Sequence, residues 1–169
     1  VQPFPESGAA ERDRVAGVPN ELTGKDPGCR GLGPEFVWTY EVSMPAALVV
    51  QTNHPETTLD TVVYVRKVCR SPETELGCVD DEEPSRAGTL VIPRVEPGLY
   101  FIIVDSFGPD SLGHVKVTVE ERVGRGEACA SDEVCAPGLT CRKLDLEAEE
   151  QTCELHACGD LLDNDGDGT

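Results

Sequence analysis

Short runs in which hydrophobic and polar side chains alternate fill the middle of the chain. Across residues 36–41, aromatic side chains occupy every second position, which is the two-residue period of a β-strand. Further apolar, β-branched runs follow at residues 46–51, 59–66, 89–92, 99–105 and 114–119. No window of about a dozen residues repeats its hydrophobic side chains at helical spacing. The pattern therefore predicts short strands and no long helix.

Turn-forming dipeptides separate these runs. They are Met44-Pro45, His54-Pro55, Pro84-Ser85, Pro97-Gly98 and Gly108-Pro109. Six or seven short strands at a spacing of roughly ten residues, with turns of this kind between them, predict an all-β fold, an antiparallel β-sandwich that resembles a jelly roll. We expect the core of this sandwich to be centred on Trp38, Val63, Val91, Leu99 and Ile103.

The composition divides the chain into four parts. Residues 1–34 contain proline and glycine throughout and show no sustained period, so we expect an extended N-terminal arm with one short strand. Residues 35–120 form the predicted β-sandwich domain. Residues 121–158 are a cysteine-rich module with too few apolar side chains for a core, so cross-links must substitute for burial. Residues 159–169 are a partial calcium-binding loop.

The charge of the chain excludes one class of partner. Its 169 residues include 32 acidic and 14 basic side chains, which gives a formal net charge of −18 at pH 7. Contacts to a phosphate backbone need clustered Lys and Arg, so we expect no nucleic-acid partner. No apolar run approaches the roughly 20 residues needed to cross a bilayer, so we expect no membrane span in this chain.

The cysteines indicate the compartment. There are eight of them at wide, irregular spacing, and no C-x2-C pair of the kind typical of zinc or iron–sulfur sites occurs. An even number at such spacing predicts disulfides formed in an oxidising environment, hence a secreted or cell-surface protein. We expect that a signal peptide preceding Val1 was removed or was not included.

The pairing of the cysteines is open from spacing alone, because eight cysteines allow about 105 connectivities. Five of them follow residue 121 and cannot pair completely among themselves, so one must reach a cysteine elsewhere, for which Cys29 is the natural choice. The connectivity we expect is Cys69–Cys78, Cys129–Cys141, Cys135–Cys153 and Cys29–Cys158.

The acidic C-terminal stretch contains a candidate calcium site. Asp163, Asp165 and Asp167 place carboxylates at every second position, and the glycines between and after them permit a tight turn. This spacing is the first half of a calcium loop, whose oxygens at positions 1, 3 and 5 converge on one cation. The sequence stops before positions 9 and 12, so we expect more chain to follow in the native protein. The alternative interpretation is a solvated acidic tail.

A second acidic group falls at predicted strand ends. Asp60 opens one strand, Asp80 and Asp81 follow Cys78, and Asp105 ends another strand. Because strand ends collect at the rims of a sandwich, these carboxylates are candidate calcium ligands. The alternative is that Asp60 and Asp105 cap turns while the acidic run after Cys78 is solvent-exposed.

No constellation in the sequence indicates catalysis. His54, His114 and His156 each stand without a nucleophile in a recognisable setting, and no metalloprotease, P-loop or dinucleotide motif occurs. Acidic residues are so numerous that no glycosidase pair can be assigned. We therefore expect a protein that is not an enzyme.

The order and spacing of several segments resemble a known family. The segments are residues 35–40, 59–66, Cys69, 78–81 and 98–105. Together they look like the bacterial pre-peptidase C-terminal domain, in the versions common in secreted proteins of myxobacteria and their relatives. The resemblance covers residues 28–120. Val79 stands where that family usually has Asn, and Ser106-Phe107-Gly108 replaces its usual Gly-Tyr.

Two further resemblances concern the C-terminal part. Residues 126–141 are similar to small disulfide modules of extracellular proteins, and residues 158–168 resemble the DNDGDG calcium repeats of the same bacterial secretomes. The families imply a non-catalytic, calcium-associated, secreted or cell-surface module for adhesion, scaffolding or binding of a protein or polysaccharide partner outside the cell. The alternatives are a self-assembling subunit of an extracellular filament or coat and the accessory domain of a secreted hydrolase.

Overall fold

The computed structural model describes residues 1–14, 21–81, 85–144 and 150–155. Its regular structure in these ranges consists of strands and three single-turn 3-10 helices, Pro27–Cys29, Pro72–Thr74 and Asp132–Val134. The strands are β1 Gln2–Pro3, β2 Ala9–Arg14, β3 Phe36–Val42, β4 Ala46–Gln51, β5 Thr61–Arg66, β6 Glu75–Val79, β7 Thr89–Val95, β8 Gly98–Ser106, β9 Gly113–Arg122, β10 Leu139–Arg142 and β11 Thr152–Leu155. The described part of the chain contains no helix long and apolar enough to cross a membrane.

Two sheets pack face to face. The first has the strand order β1-β3-β8-β5-β6 and the second the order β2-β9-β4-β7. Apart from the parallel pair β1–β3, all the pairs in these sheets are antiparallel. The predicted antiparallel β-sandwich is therefore confirmed. Strand β6, which the hydrophobic pattern did not predict, lies at one edge of the first sheet.

The core between the sheets follows the alternation of side chains along each strand. On β8, Tyr100, Ile102 and Val104 point into this core, together with Trp38 and Val63 as predicted. The remaining predicted core residues do not lie there. They occupy the alternate positions of their strands, whose side chains point away from the core. Ile103 therefore lies on the outer face of the first sheet and Val91 on the outer face of the second, while Leu99 is 53% exposed.

The segment from residue 21 to residue 30 covers the outer face of the first sheet. Leu22 and Cys29 pack there against Val62, Tyr64 and Ile103. A disulfide between Cys29 and Cys78 of β6, with their Cα atoms 6.2 Å apart, attaches the segment to the sheet.

This disulfide corrects two expected pairings, Cys69–Cys78 and Cys29–Cys158. The antiparallel hairpin brings Cys78 back along β6 to a position opposite Tyr64, on the face where Cys29 lies. Cys69 stays in the connection beyond the end of β5 and forms no disulfide with the described residues. Cys69 and Cys78 are therefore near each other in sequence, but the hairpin does not bond them to each other. Cys158 lies outside the described residues.

The cysteine-rich module covers the outer face of the second sheet. Cys135, Ala136, Leu139 and Cys153 pack there against Ala47 of β4. Within the module, strands β10 and β11 pair in antiparallel register. The disulfides are Cys129–Cys141 and Cys135–Cys153, the two pairs expected for this segment. The two disulfides of the module thus supplement a small apolar contact between the module and the second sheet.

The N-terminal arm takes part in both sheets. Its first strand pairs with β3, and its second, β2, runs antiparallel to β9 along its whole length. Between them Phe4 is buried in the core, with its ring edge-on to Trp38 at a centroid distance of 5.8 Å. The arm therefore contributes two strands rather than the expected one.

A buried ion pair closes the hairpin end of β5 and β6. The side chains of Arg66 and Glu75 are 1% and 5% exposed, and Arg66 Nη2 lies 3.0 Å from Glu75 Oε2. Arg66 also donates to the carbonyl oxygens of Cys69 and Thr23, and its guanidinium lies 4.6 Å from the centroid of the Tyr64 ring. This one side chain links the covering segment, the hairpin turn and the sheet.

Replacing Arg66 by alanine would leave the Glu75 carboxylate buried without its cation. We expect Arg66→Ala to lower the free energy of unfolding by about 3–5 kcal/mol, measured by urea denaturation. Lys25→Ala is the matched control, because it removes an ion pair with Glu73 whose side chains are 51% and 80% exposed, and it should change stability little. Equal effects of the two substitutions would contradict the assignment.

Tryptic digestion under non-reducing conditions distinguishes the observed pairing from the expected one. Cleavage after Lys25, Arg30, Lys67, Arg70 and Arg86 places Cys29 in fragment 26–30, Cys69 in fragment 68–70 and Cys78 in fragment 71–86. We expect mass spectrometry to find 26–30 linked to 71–86, because Cys29 and Cys78 are bonded. A link between 68–70 and 71–86 would refute this pairing.

Candidate metal site at the sandwich rim

Three of the predicted carboxylates meet at one rim of the sandwich. Asp60 directly precedes β5, and Asp80 and Asp81 directly follow β6. The two strands pair with Val63 opposite Val79, so the end of one strand lies beside the start of the other. The hairpin register itself thus brings the two acidic segments together.

A buried hydroxyl network holds the neighbouring loops in place. Thr52 Oγ1 and Thr61 Oγ1 lie 3.0 Å apart and share a hydrogen bond. Thr52 also exchanges hydrogen bonds with the backbone of Gly88, and the amide of Thr61 donates to the carbonyl oxygen of Arg86 at 2.9 Å. Buried polar groups that are satisfied in this way fix one arrangement of the loops around Asp60.

Gly88 permits a close approach beside the acidic segment. A Cβ atom at this position would lie 2.7 Å from Val79 Cγ2 and 2.8 Å from the carbonyl oxygen of Asp80. Because glycine has no Cβ atom, the backbone of Gly88 can pass directly against the end of β6.

The carboxylates of this group are close together and poorly partnered. Asp60, Asp80 and Asp81 each offer an oxygen such that all three oxygens lie within 4.8 Å of one another. Asp60 Oδ1 and Asp80 Oδ1 are buried and accept no hydrogen bond within the described part of the chain. Among the described residues, an ion pair reaches Asp60 from the exposed side chain of Arg86, whose Nη1 lies 4.0 Å from Asp60 Oδ2. We name these three residues the rim triad.

Burial and crowding raise the pKa of two carboxyls of the rim triad. Burial, together with the charges of Asp81 and Asp60, raises the pKa of Asp80 to about 6. Burial and the charge of Asp81 also raise the pKa of Asp60, while Arg86 opposes them. Raised carboxyl pKa values mean that negative charge is under-compensated at the rim.

The fourth predicted ligand, Asp105, does not join the rim triad. It lies on β8 opposite Val62 of β5, and the register of β6 continues so that Asp80 comes to the other side of Val62. One strand therefore separates the two carboxylates, which corresponds to roughly 10 Å. The Asp105 side chain is fully buried, with Oδ2 3.5 Å from the Tyr64 hydroxyl. A Cβ atom at Gly31 would overlap this carboxylate. Asp105 therefore packs against the backbone directly after the segment of residues 21–30 that covers the first sheet.

The remaining candidate metal ligands of the chain do not belong to the rim triad. The tail residues Asp163, Asp165 and Asp167 lie outside the described residues. Three cysteines also come together, but Cys129, Cys135 and Cys141 are engaged in disulfides and offer no thiolate to a metal.

The two described histidines make contacts of a structural kind. His54 Nε2 lies 3.1 Å from Thr118 Oγ1, which connects a loop to β9. His114 Nδ1 lies 2.9 Å from Asp13 Oδ1, which joins β9 to β2. These interactions secure neighbouring segments to β9.

Comparison with known proteins gives a likeness to a solved structure. No family model matches the sequence, and no curated protein matches it. Among solved structures, the chain is similar to the pre-peptidase C-terminal domain of a collagenase from Bacillus anthracis, at 10% sequence identity and a TM-score of 0.44. The match covers 71% of this chain and 91% of that one. The strand order and pairing, rather than this likeness, define the fold.

Several residues of the rim had no signal in the sequence. Thr52 follows β4, whereas Arg86 and Gly88 lie in the loop before β7, yet all three come close to the rim triad. Only the register of β5 with β6 and of β4 with β7 brings them together. A sequence pattern that predicts strands does not predict that register.

The raised pKa of Asp80 gives a pH dependence with a definite sign. A carboxyl whose pKa is higher in the folded than in the unfolded state binds protons more tightly when folded, so folding gains stability as the pH falls through about 6 toward 4. We expect Asp80→Asn to be more stable than the parent at pH 7 in a chelator. The difference should shrink by pH 5, as measured by thermal unfolding.

The control for this experiment is Glu41→Gln, which removes an exposed carboxylate at the end of β3 that pairs with the start of β8, whereas the rim triad lies beside the end of β8. Its unfolding temperatures should run parallel to those of the parent across the same range. A stability difference for Asp80→Asn that stays constant from pH 7 to pH 5 would argue against a raised pKa.

Proposed function

We propose that the chain is a non-catalytic, secreted or cell-surface β-sandwich module that binds calcium at the rim triad. The observation that carries this proposal is the convergence of three carboxylates, two of which have buried oxygens without a partner among the described residues. A divalent cation supplies the missing positive charge and the missing partners at once.

The donor set favours calcium over other metals. All the ligands offered are carboxylate oxygens, whereas zinc sites are built mainly from cysteine and histidine. Calcium binds oxygens at about 2.3–2.6 Å, so ligands of one ion lie at most about 5.2 Å apart. The triad oxygens lie within 4.8 Å of one another, so one calcium ion could contact all three. Backbone carbonyls and water complete the six to eight ligands that calcium takes.

The environment proposed for the protein suits a weak site. Extracellular modules bind calcium with dissociation constants of about 10⁻⁴–10⁻³ M, which an open rim with three carboxylates can reach. The three disulfides of the described residues support an oxidising compartment, where such calcium concentrations occur. By the spacing of the sequence, Asp163, Asp165 and Asp167 begin a second calcium loop in this proposal.

The role of the module in this proposal is to bind or present other molecules. Calcium at the rim would cross-link the loop before β5 to the loop after β6 and leave the rest of the sandwich surface for a partner. The resemblance of the strand motifs to pre-peptidase C-terminal domains favours a module attached to a secreted enzyme or a surface protein, which contacts a protein or a polysaccharide outside the cell.

Calcium binding is measurable as a stabilisation of the fold. Calcium at about 100 times its dissociation constant should stabilise the folded protein by about 2.7 kcal/mol, which raises the melting temperature by roughly 5–10 °C. A chelator should reverse this increase. Asp60→Asn and Asp81→Asn should abolish most of it, because each removes one of the three converging carboxylates.

Two controls separate the rim triad from other effects of calcium. Asp110→Asn should keep the full increase, since this exposed residue lies outside the triad. The combined substitutions Asp163→Asn, Asp165→Asn and Asp167→Asn should also keep it, because they remove only the predicted tail loop. An increase that survives Asp60→Asn and Asp81→Asn but disappears with the tail substitutions would overturn the rim assignment.

A further inference from the structure

A groove lies at the end of the sandwich opposite the rim triad. It runs between the β3–β4 turn, the end of β9 and the cysteine-rich module, and encloses about 810 Å³. Apolar side chains form much of its wall, among them Met44, Pro45, Val123 and Val134. Met44 is 69% exposed.

A second cavity extends the groove along the module. It has a volume of about 640 Å³ and shares Val123, Ala128 and Val134 with the first. The two cavities therefore adjoin at these three residues, and we name the pair of them the trough. A trough of this kind accepts an elongated ligand better than a compact one.

Carboxylates line the mouth of the trough. Glu120 pairs with Arg122 at 2.7 Å, and Glu127 contacts Arg94. Two other carboxylates of the wall, those of Glu121 and Glu133, form no ion pair with a described residue. The wall therefore combines an apolar surface with an excess of negative charge, since its glutamates outnumber its two cations, Arg122 and Lys143.

We propose that this trough docks an extended segment of a protein partner in which basic and aliphatic residues alternate. In an extended segment, successive side chains point to opposite sides, so one set can enter the apolar trough while the other reaches its acidic mouth. Lysine and arginine suit the second set, because their aliphatic stems pack on apolar surface while their charged ends reach carboxylates.

The charge argues against two other occupants. A second copy of the chain has the same formal charge of −18, so it would add repulsion at the acidic mouth. An anionic polysaccharide would meet the same repulsion. A cationic segment instead gains attraction both at the mouth and from the field of the whole protein.

The trough and the calcium site are independent features. They lie at opposite ends of the sandwich, because β4 begins at the trough with Ala46 and ends at Gln51, beside the buried Thr52 that supports the rim. Failure of calcium binding would therefore leave this proposal untouched, and the reverse also holds.

The experiment uses the full chain and a fluorescein-labelled peptide of about ten residues in which lysine and valine alternate. Fluorescence anisotropy is measured at about 0.15 M salt, where exposed charges are screened beyond about 8 Å. We expect saturable binding of this peptide. A peptide with serine in place of valine should bind at least about tenfold more weakly, because it lacks the apolar set.

Substitutions in the trough test its location. Met44→Ser combined with Val134→Ser should weaken binding about tenfold, since both remove exposed apolar wall. Glu121→Gln combined with Glu133→Gln should weaken it roughly 3- to 10-fold. The matched controls are Leu112→Ser for the apolar change and Glu6→Gln with Asp110→Asn for the charge change, all at exposed positions away from the trough.

Several results would overturn the proposal. One is the absence of saturable binding up to about 1 mM peptide, which corresponds to a negligible affinity. Another is equal weakening by the control and the trough substitutions, which would show that only the net charge of the protein attracts the peptide. Self-association in sedimentation experiments that Met44→Ser with Val134→Ser abolishes would assign the trough to a second copy instead.

Discussion

Strand β5 is buried at all six of its positions, and covering its second face is the constraint on which the rest of the structure depends. A sheet in a simple sandwich has one apolar face and one solvated face. Here Val62, Tyr64 and Ile103 make the outer face of the first sheet apolar as well. A short segment with little core of its own must therefore stay on that face, and the Cys29–Cys78 disulfide keeps it there. The same solution recurs on the second sheet, where disulfides hold the cysteine-rich module on Ala47.

The two ends of the β5–β6 hairpin handle charge in opposite ways. At the turn end, Arg66 neutralises Glu75 inside the protein, and its remaining donors bond carbonyl oxygens. At the open end, the rim triad brings three carboxylates together with only an exposed arginine 4.0 Å away. Because crowded carboxylates repel one another unless a positive charge lies close by, the open end would be stabilised by a bound cation.

The sequence allowed the strands to be predicted but not their partners. Alternation of side chains is a local property, so β4 was predicted at its observed bounds and β3, β5, β7, β8 and β9 within a few residues. The face that each strand turns to the core depends on the neighbouring strands. For this reason Leu99 was placed in the core although it is exposed, and Cys78 was paired with the nearby Cys69. For the same reason Asp60, Asp80 and Asp81 were correctly grouped at strand ends, while Asp105, one strand away, was wrongly included with them.

An excess of acid over base connects the two sites proposed for this surface. A net charge of −18 on 169 residues repels itself in the compact state. The rim triad and the acidic mouth of the trough each gather several carboxylates, so a positive charge would be favoured at both. They differ in the kind of cation that fits. At the rim, oxygens confined within 4.8 Å of one another suit a small hard ion. At the trough, carboxylates bordering an apolar wall suit a charge carried on an aliphatic stem. The geometry around each group of carboxylates, rather than the charge they share, would therefore decide which cation each end of the sandwich binds.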